Sequence, residues 1–128
     1  MITTGVVIMN KAELKNFDKA DETRPFEGKG HADIVSVGGR TVAHGYFEPG
    51  WRWSENVKPI AQTELCMISH LGYALTGRMR VTMQDGTEVE ITAGDIVAIP
   101  PGHDAEVVGD ETVEFLDFGE IDEWAVRK

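Results

Sequence analysis

The sequence predicts an all-β fold in which short strands form a small barrel or a double sheet. Its apolar runs are short and rich in β-branched residues, and its 14 glycines and 5 prolines mark many turns between those runs. The most informative stretch is residues 94–102, where a Gly-Asp turn leads into an apolar strand that ends at Pro-Pro-Gly. Short strands separated by such turn signals are typical of closed or two-layered β architectures.

The first half of the chain contains three expected strands. Residues 32–37 alternate in part between apolar and polar and end at Gly38-Gly39, a tight-turn signal. Residues 40–47 are the expected return strand, which Pro49-Gly50 closes. Residues 63–75 form a longer extended run that only Gly72 interrupts. We therefore expect a hairpin over residues 32–47 and one long strand after it.

The second half of the chain contains more strands with clearer alternation. Residues 78–83 and 87–91 alternate cleanly and are expected to pair across the hairpin turn Asp85-Gly86. Residues 95–99 form the next strand. Residues 105–108 and 112–118 are expected to pair across the turn that begins at Gly109. With the first half, these runs predict about nine short strands.

Helical patterns are scarce and lie near the two ends of the chain. Residues 10–20 are compatible with one or two helical turns capped by Asn10, and residues 121–128 with a short helix or an irregular tail. The expected organisation is a single domain over residues 1–128, with an N-terminal arm (1–28), a barrel (29–119) and a C-terminal tail (120–128). An open edge strand in such a sheet favours a homodimer.

Composition excludes several classes of partner and compartment. A length of 128 residues suits one domain with one core. The net charge of −10 disfavours binding to nucleic acid or to anionic membranes. No apolar run is long enough to span a membrane, and the first nine residues lack the basic start of a secretion signal. A single cysteine, Cys66, rules out an internal disulfide and suits the reducing cytoplasm.

Spaced glycines and prolines make the chain similar to a known family over residues 40–119. Gly94, Pro100 and Gly102 have the spacing of the second motif of the cupin family, and His70 followed by Gly77 has that of the end of the first motif. The resemblance implies a cupin-type double-stranded β-helix, or jelly-roll barrel. Together with the cluster at residues 51–60, it resembles small single-domain bacterial cupins of unassigned function. Because cupins include oxygenases, isomerases, decarboxylases and binding proteins, the resemblance leaves the activity open.

The metal-binding positions of the cupin motifs are not reproduced in this chain. Counted back from Gly77, His70 occupies the position of the usual glutamate, while Cys66 and Glu64 occupy those of the two histidines. Counted forward from Gly50, the first histidine position falls instead at Asn56. In the second motif, Ala105 stands in place of histidine and His103 precedes it by two residues.

Strand periodicity nonetheless predicts a metal site. Side chains two or four residues apart share a face, so Glu64, Cys66 and His70 can point into one barrel, and His103 points inward if Ala105 does. Thiolate, imidazole and carboxylate are suitable ligands for a divalent ion. The candidate metal ligands are therefore His70, His103, Cys66 and Glu64, with Zn²⁺ preferred and Fe or Ni as alternatives.

The aromatic residues near the expected barrel mouth suggest a small-molecule pocket lined by Trp51, Trp53, Tyr73 and Met83. Two functional hypotheses follow. The first is a metal-dependent cupin enzyme of oxygenase, isomerase or lyase type that acts on a small metabolite, with catalytic residues not identified. The second is a metal-free binding or sensor module without catalysis. Nucleophilic catalysis by Cys66 is disfavoured, because His70 lies four residues further along the expected strand and is too distant to pair with it.

Overall fold

The structure, a computed structural model, describes residues 11–128 and confirms the all-β prediction. Its nine strands are β1 (Glu22–Pro25), β2 (Gly30–Val37), β3 (Arg40–Phe47), β4 (His70–Thr76), β5 (Arg78–Met83), β6 (Glu88–Thr92), β7 (Ile96–Ile99), β8 (His103–Val107) and β9 (Val113–Asp117). Two one-turn helices, α1 (Trp53–Asn56) and α2 (Lys58–Ala61), connect β3 to the loop before β4. A single 3₁₀ turn, Phe17–Lys19, precedes β1.

The strands form two antiparallel sheets of unequal size. The larger sheet has the order β1-β2-β3-β9-β4-β7, and the smaller one has the order β6-β5-β8. The expected hairpins β2–β3 and β5–β6 are both present, with Val37 opposite Arg40 and Arg78 opposite Thr92.

The expected pairing of the last two strands is wrong. Strand β8 pairs with β5 in the smaller sheet, while β9 lies between β3 and β4 in the larger one. The turn near Gly109, whose φ of 90° suits a glycine, therefore carries the chain from one sheet to the other instead of closing a hairpin.

The core of the barrel is built from alternate residues of the central strands. In β9 the buried residues are Val113, Phe115 and Asp117, and in β4 they are His70 and Ala74, with Gly72 between them. A Cβ on Gly72 would lie 2.2 Å from the Phe115 ring and 2.4 Å from the backbone oxygen of Leu116. Gly72 thus allows β4 and β9 to pack closely beside the first residue of β4.

The C-terminal tail packs onto the barrel. Ile121 and Trp124 are buried in the core, and the buried side chain of Arg24 in β1 holds both of them in place. Its guanidinium donates to the carbonyl oxygens of Ile121 at 2.8 Å and of Trp124 at 2.7 Å. The backbone N–H of Lys128 also donates to the carbonyl of Ile60 in α2. The tail is therefore fixed by backbone contacts, although it has no regular secondary structure.

Part of the expected N-terminal arm contributes to the larger sheet. Asn16, whose side chain accepts from the N–H of Asp18, caps the 3₁₀ turn. The expected cap, Asn10, lies outside the described residues. Strand β1 falls within the segment expected to be an arm, and it pairs with β2. Over residues 11–128, no helix has the length and apolar character needed to cross a bilayer.

Candidate metal centre

Three side chains with metal-binding atoms converge inside the barrel. One ligand atom from each of Cys66, His70 and His103 lies within 4.8 Å of the others. The three residues are 2%, 7% and 3% exposed, so the cluster is shielded from bulk solvent. The structure thus brings together three of the four residues that the sequence suggested as ligands.

The chain reaches this cluster by a route that the sequence did not suggest. His70 begins β4 and His103 begins β8, whereas Cys66 lies in the irregular segment before β4. An isolated antiparallel bridge joins Cys66 to His103. The backbone N–H of Cys66 donates to the carbonyl oxygen of His103 at an N···O distance of 2.8 Å, and that of Gly102 donates to the carbonyl oxygen of Cys66 at 2.7 Å. The expectation of one strand over residues 63–75 is therefore wrong.

Because this segment folds back, the sulfur of Cys66 lies 3.5 Å from Nε2 of His70. The expectation that these two residues are too far apart to pair, which assumed a regular strand, is also wrong.

In both histidine rings of the cluster, Nδ1 donates a hydrogen bond to a fixed acceptor. Nδ1 of His70 donates to Oδ2 of Asp117 at 2.6 Å, and Nδ1 of His103 donates to the carbonyl oxygen of Pro100 at 2.8 Å. Because a carbonyl oxygen can only accept, the proton of a neutral His103 resides on Nδ1. Each neutral ring then carries its lone pair on Nε2, the state in which histidine binds metals.

Burial and hydrogen bonding shift the proton affinities of the cluster in opposite directions. Burial alone would raise the pKa of the Cys66 thiol, but the adjacent rings of His103 and His70 outweigh it and lower the pKa from 9.0 to about 7. Burial alone would lower the pKa of His70, but its hydrogen bonds to Asp117 and Cys66 raise the pKa from 6.5 to about 9. The thiolate form of Cys66 is therefore accessible near neutral pH.

Asp117 is the supporting residue that the sequence did not suggest. Its other oxygen, Oδ1, accepts from the N–H of Gly119 at 2.9 Å and from that of Leu71 at 3.4 Å. These bonds fix a buried carboxylate behind the His70 ring. A signal for it did exist in the sequence, because Asp117 shares parity with the apolar residues Val113 and Phe115 and so occupies an inward position of β9.

The cluster opens onto a small, mainly apolar cavity of about 40 Å³. All three tryptophans of the chain contribute to its wall. The indole N–H groups of Trp51 and Trp53 are buried and have no hydrogen-bond partner in residues 11–128. The lining residues are Ala43, Gly45, Phe47, Trp51, Trp53, Cys66, His70, Met79, Ile91, Ile99, His103, Ala105, Phe115, Asp117 and Trp124.

Two of the four residues expected to line a ligand pocket border this cavity. Trp51 and Trp53 line the cavity, but Tyr73 and Met83 do not. Tyr73 is 39% exposed, because its neighbours Gly72 and Ala74 share the inward face of β4 with His70. Met83 is half-buried and packs against the core without reaching the cavity. Trp124, from the tail, was not anticipated; its ring lies edge-on to His70 at a centroid distance of 5.8 Å.

Glu64, the fourth expected ligand, lies apart from the cluster of Cys66, His70 and His103. It is 91% exposed and pairs with Lys58 at 3.0 Å, because the alternation of a strand does not hold in the irregular segment that carries it. Asn56, the other candidate for a first-motif ligand, has a structural role. Its side chain accepts from the N–H of Arg52 and donates to the carbonyl of Glu27. Asp104 likewise accepts from the backbone N–H groups of Ser54 and Ala105.

The two remaining histidines form a separate cluster on the outer face of the larger sheet. The ring of Tyr46 stacks on His31 at 4.6 Å and on His44 at 4.3 Å. Nε2 of His44 contacts Glu114 at 3.0 Å, and its Nδ1 contacts the Tyr46 hydroxyl at 3.2 Å. Both nitrogens of His44 therefore already have partners.

Comparison with known proteins supports the fold and part of the motif assignment. A sequence profile described as a cupin domain matches residues 68–119, the segment that contains His70, His103 and Asp117. A search of curated proteins finds no significant match.

Several solved structures share the fold at low sequence identity. A protein of unknown function from Acinetobacter sp. ADP1 is 16% identical with a TM-score of 0.57, over 78% of this chain and 90% of that one. An RmlC-like cupin from Shewanella frigidimarina is 19% identical with a TM-score of 0.58, over 90% of this chain and 97% of that one. A variant of Bacillus subtilis oxalate decarboxylase is 18% identical with a TM-score of 0.61. That match covers 88% of this chain but 31% of the decarboxylase, so it supports the architecture alone.

Proposed function

We propose that the chain is a cupin, since a cupin-domain profile matches residues 68–119, and that it binds one divalent metal ion in the barrel through Cys66, His70 and His103. The observation that carries the proposal is the hydrogen bonding behind the two rings. Each Nδ1–H is held by an acceptor, the buried Asp117 carboxylate for His70 and the Pro100 carbonyl for His103, which leaves Nε2 as the metal-binding atom. Histidine ligands in metal sites are oriented by such partners, which fix the tautomer and the direction of the ring.

The spacing of the donors fits a small tetrahedral ion. With metal–ligand bonds of about 2.0–2.3 Å, neighbouring ligand atoms of a tetrahedral zinc site lie about 3.5 Å apart. The sulfur of Cys66 and Nε2 of His70 have that separation of 3.5 Å. One thiolate and two imidazoles suit Zn²⁺ best, with Fe and Ni as alternatives. With three protein ligands, a fourth position remains for a small molecule.

A divalent ion held by Cys66, His70 and His103 would supply Lewis-acid chemistry toward a small molecule in the cavity. The residues around it supply the rest of the site. Asp117 fixes the orientation of the His70 ring, and the surrounding tryptophans exclude bulk water. We therefore propose that the protein binds, or acts on, a small metabolite at this position. No residue besides the proposed ligands is assigned a catalytic role.

Metal binding is tested by titrating chelator-treated protein with Zn²⁺ and with Co²⁺. We expect one ion per chain, and Co²⁺ should give a thiolate-to-metal absorption band that Cys66→Ser removes. The matched control is His31→Ala, a histidine of the outer cluster, which should bind metal like the wild type. Much less than one ion per chain after reconstitution would overturn the proposal. Small-molecule binding that is the same with and without chelator would favour a metal-free binding module instead.

A second candidate function is supported by one specific arrangement. Cys66, His70 and Asp117 form a thiol–imidazole–carboxylate relay with distances of 3.5 Å and 2.6 Å, the pattern of an activated nucleophile. His103 distinguishes the two candidates, because it is a ligand in the metal site but not a member of the relay. If His103→Ala abolishes metal binding but retains fast alkylation of Cys66 by a small thiol reagent, the relay functions without metal.

We also propose that the protein is a homodimer in the reducing cytoplasm. The outer faces of β4 and β7 expose the apolar side chains of Leu71, Tyr73 and Ile96, and β7 is an edge strand of the larger sheet. Association of two copies through this face would cover them. Light scattering of the purified protein tests the oligomeric state, and a mass of 14.1 kDa, that of a single chain, would contradict the dimer.

A further inference from the structure

Within residues 11–128, no lysine or arginine side chain lines the cavity beside the proposed metal ligands. Among the residues that line it, the ionisable ones are Cys66, His70, His103 and Asp117, and none is lysine or arginine. The rest of the wall is aliphatic, aromatic or glycine. The described part of the chain therefore offers no cation at this wall apart from the histidines and a bound metal ion.

The charges of the loaded site already balance. The two positive charges of a divalent ion are matched by the Cys66 thiolate and by the carboxylate of Asp117, with both imidazoles neutral. An anionic ligand would leave a net negative charge between apolar walls, where an uncompensated charge is costly. The chain as a whole also carries a net charge of −10, so its field repels anions before they reach the cavity.

The tryptophans of the wall indicate what the ligand supplies. The N–H groups of Trp51 and Trp53 have no partner in the part of the chain that the structure describes, and an unpaired buried donor costs free energy. A ligand with an accepting oxygen would satisfy one or both donors. An apolar ligand without such an oxygen would leave them unpaired.

The size of the cavity limits the ligand. On the scale that assigns about 10–15 Å³ to one enclosed water molecule, the cavity of about 40 Å³ holds about three or four waters. A molecule of a few non-hydrogen atoms fits this space without movement of the walls.

We propose that the ligand of this cavity is a small uncharged molecule with a hydrogen-bond-accepting oxygen, such as a short amide, aldehyde, ketone or alcohol, and that carboxylates are disfavoured. The inference rests on the proposed metal site, whose ligand class it names. It assigns Asp117 a second role, since its charge selects against anions in addition to orienting His70.

Acetamide and acetate are matched probes, because they have the same number of non-hydrogen atoms and differ in charge. The three indole N–H signals of metal-loaded, ¹⁵N-labelled protein report directly on the cavity, and Trp51→Phe and Trp53→Phe assign them. We expect acetamide to shift the signals of Trp51 and Trp53 and to bind at least about tenfold more tightly than acetate. Equal or tighter binding of acetate, or no shift of either signal with acetamide, would overturn the inference.

Asp117→Asn provides a test in the opposite direction. With saturating metal this variant gives the site a net positive charge, so the preference should move toward acetate by about tenfold. An unchanged ratio of the two affinities would show that charge does not select the ligand. Metal content measured on the same samples separates this inference from the proposed function, because a loaded protein that prefers acetate fails only the inference. If no metal binds, the same comparison on chelator-treated protein still tests the ligand class, because acetamide should again bind more tightly than acetate.

Discussion

The four histidines of the chain form two pairs, one inside the barrel and one on the outer face of the larger sheet, and the pairs differ in how their ring nitrogens are used. In the inner pair, Nδ1 of His70 and Nδ1 of His103 each donate to a fixed acceptor, so Nε2 is the nitrogen that can bind a metal ion. In the outer pair, His44 has a partner for both nitrogens, and His31 is 41% exposed beside Asp33. The number of histidines near one another therefore does not distinguish a metal site from a surface cluster.

The difference has a physical cause. The inner rings lie in a cavity where the available acceptors are one carboxylate and one backbone carbonyl, so each ring is fixed from one side only. The outer rings lie on a solvated sheet face, where a tyrosine hydroxyl and carboxylates surround them. A metal ion has to compete with those partners and with water at the outer pair, whereas at the inner pair the partner of His70 Nε2 is the Cys66 sulfur, itself a proposed ligand.

The largest expected effect comes from removing an inner histidine. His103→Ala should lower the affinity for Zn²⁺ by more than about 100-fold. That is a larger loss than the loss of metal affinity that typically follows when a residue hydrogen-bonded to a ligand is replaced. His44→Ala, the matched change on the outer face, should alter the affinity less than about twofold because its nitrogens are not ligands. Competition with a chromophoric chelator measures both values. Similar losses for the two variants would remove the distinction between the pairs.

A smaller effect is expected from the acceptor behind His70. Asp117→Asn keeps the shape of the side chain but removes its charge, and it should weaken metal binding by about 10- to 100-fold. The matched control on the outer face is Glu114→Gln, which loses the partner of His44 and should leave metal affinity as it is. If Asp117→Asn binds metal as tightly as the wild type, Asp117 does not support the His70 ligand.

The pH dependence of metal affinity sharpens the comparison further. Metal binds the deprotonated forms, so affinity should fall as pH falls and protons compete. The pKa of His70 is raised to about 9 and that of Cys66 is lowered to about 7. Between pH 7 and pH 9, metal binding therefore displaces one proton, from His70. Below pH 7 it displaces two, from His70 and from Cys66. The affinity should thus fall about tenfold per pH unit from 9 to 7 and more steeply below 7. Calorimetry in buffers of different ionisation enthalpy counts the protons, and a flat profile would contradict the pKa shifts.

The smallest expected effect concerns Glu64, which the sequence suggested as a ligand and which lies apart from the cluster. Glu64→Gln should change metal affinity by less than about twofold, since an exposed pair such as the one with Lys58 contributes little. Chelator competition under the conditions used for His103→Ala provides the measurement. A loss comparable to that of Asp117→Asn would place Glu64 back among the ligands.

Much of the fold was predictable because strands and turns leave local signals. The alternation in residues 78–83 and the turns at Gly38-Gly39 and Asp85-Gly86 predict two hairpins that the structure contains. The pairing of β8 and β9 was not predictable in this way, because neighbours in sequence can belong to different sheets.

The site was predictable where it depends on spacing and not where it depends on the tertiary structure. The convergence of His70 and His103 follows from their places at the starts of β4 and β8. Cys66 reaches them through an irregular loop. The two-residue alternation of a strand does not hold in that loop, so it does not predict the direction of the Glu64 side chain. Asp117 lies 47 residues from His70, and Trp124 arrives on a tail without regular structure. No local pattern predicts contacts of that kind.

Since Trp51, Trp53 and Trp124 are the only tryptophans in the sequence and all border the cavity, indole emission from this protein originates in one compartment. Quenching or a spectral shift on adding an ion or a small molecule can therefore be attributed to that compartment without an attached dye. The protein carries its own optical probe of occupancy, which makes an unbiased screen of candidate compounds practical.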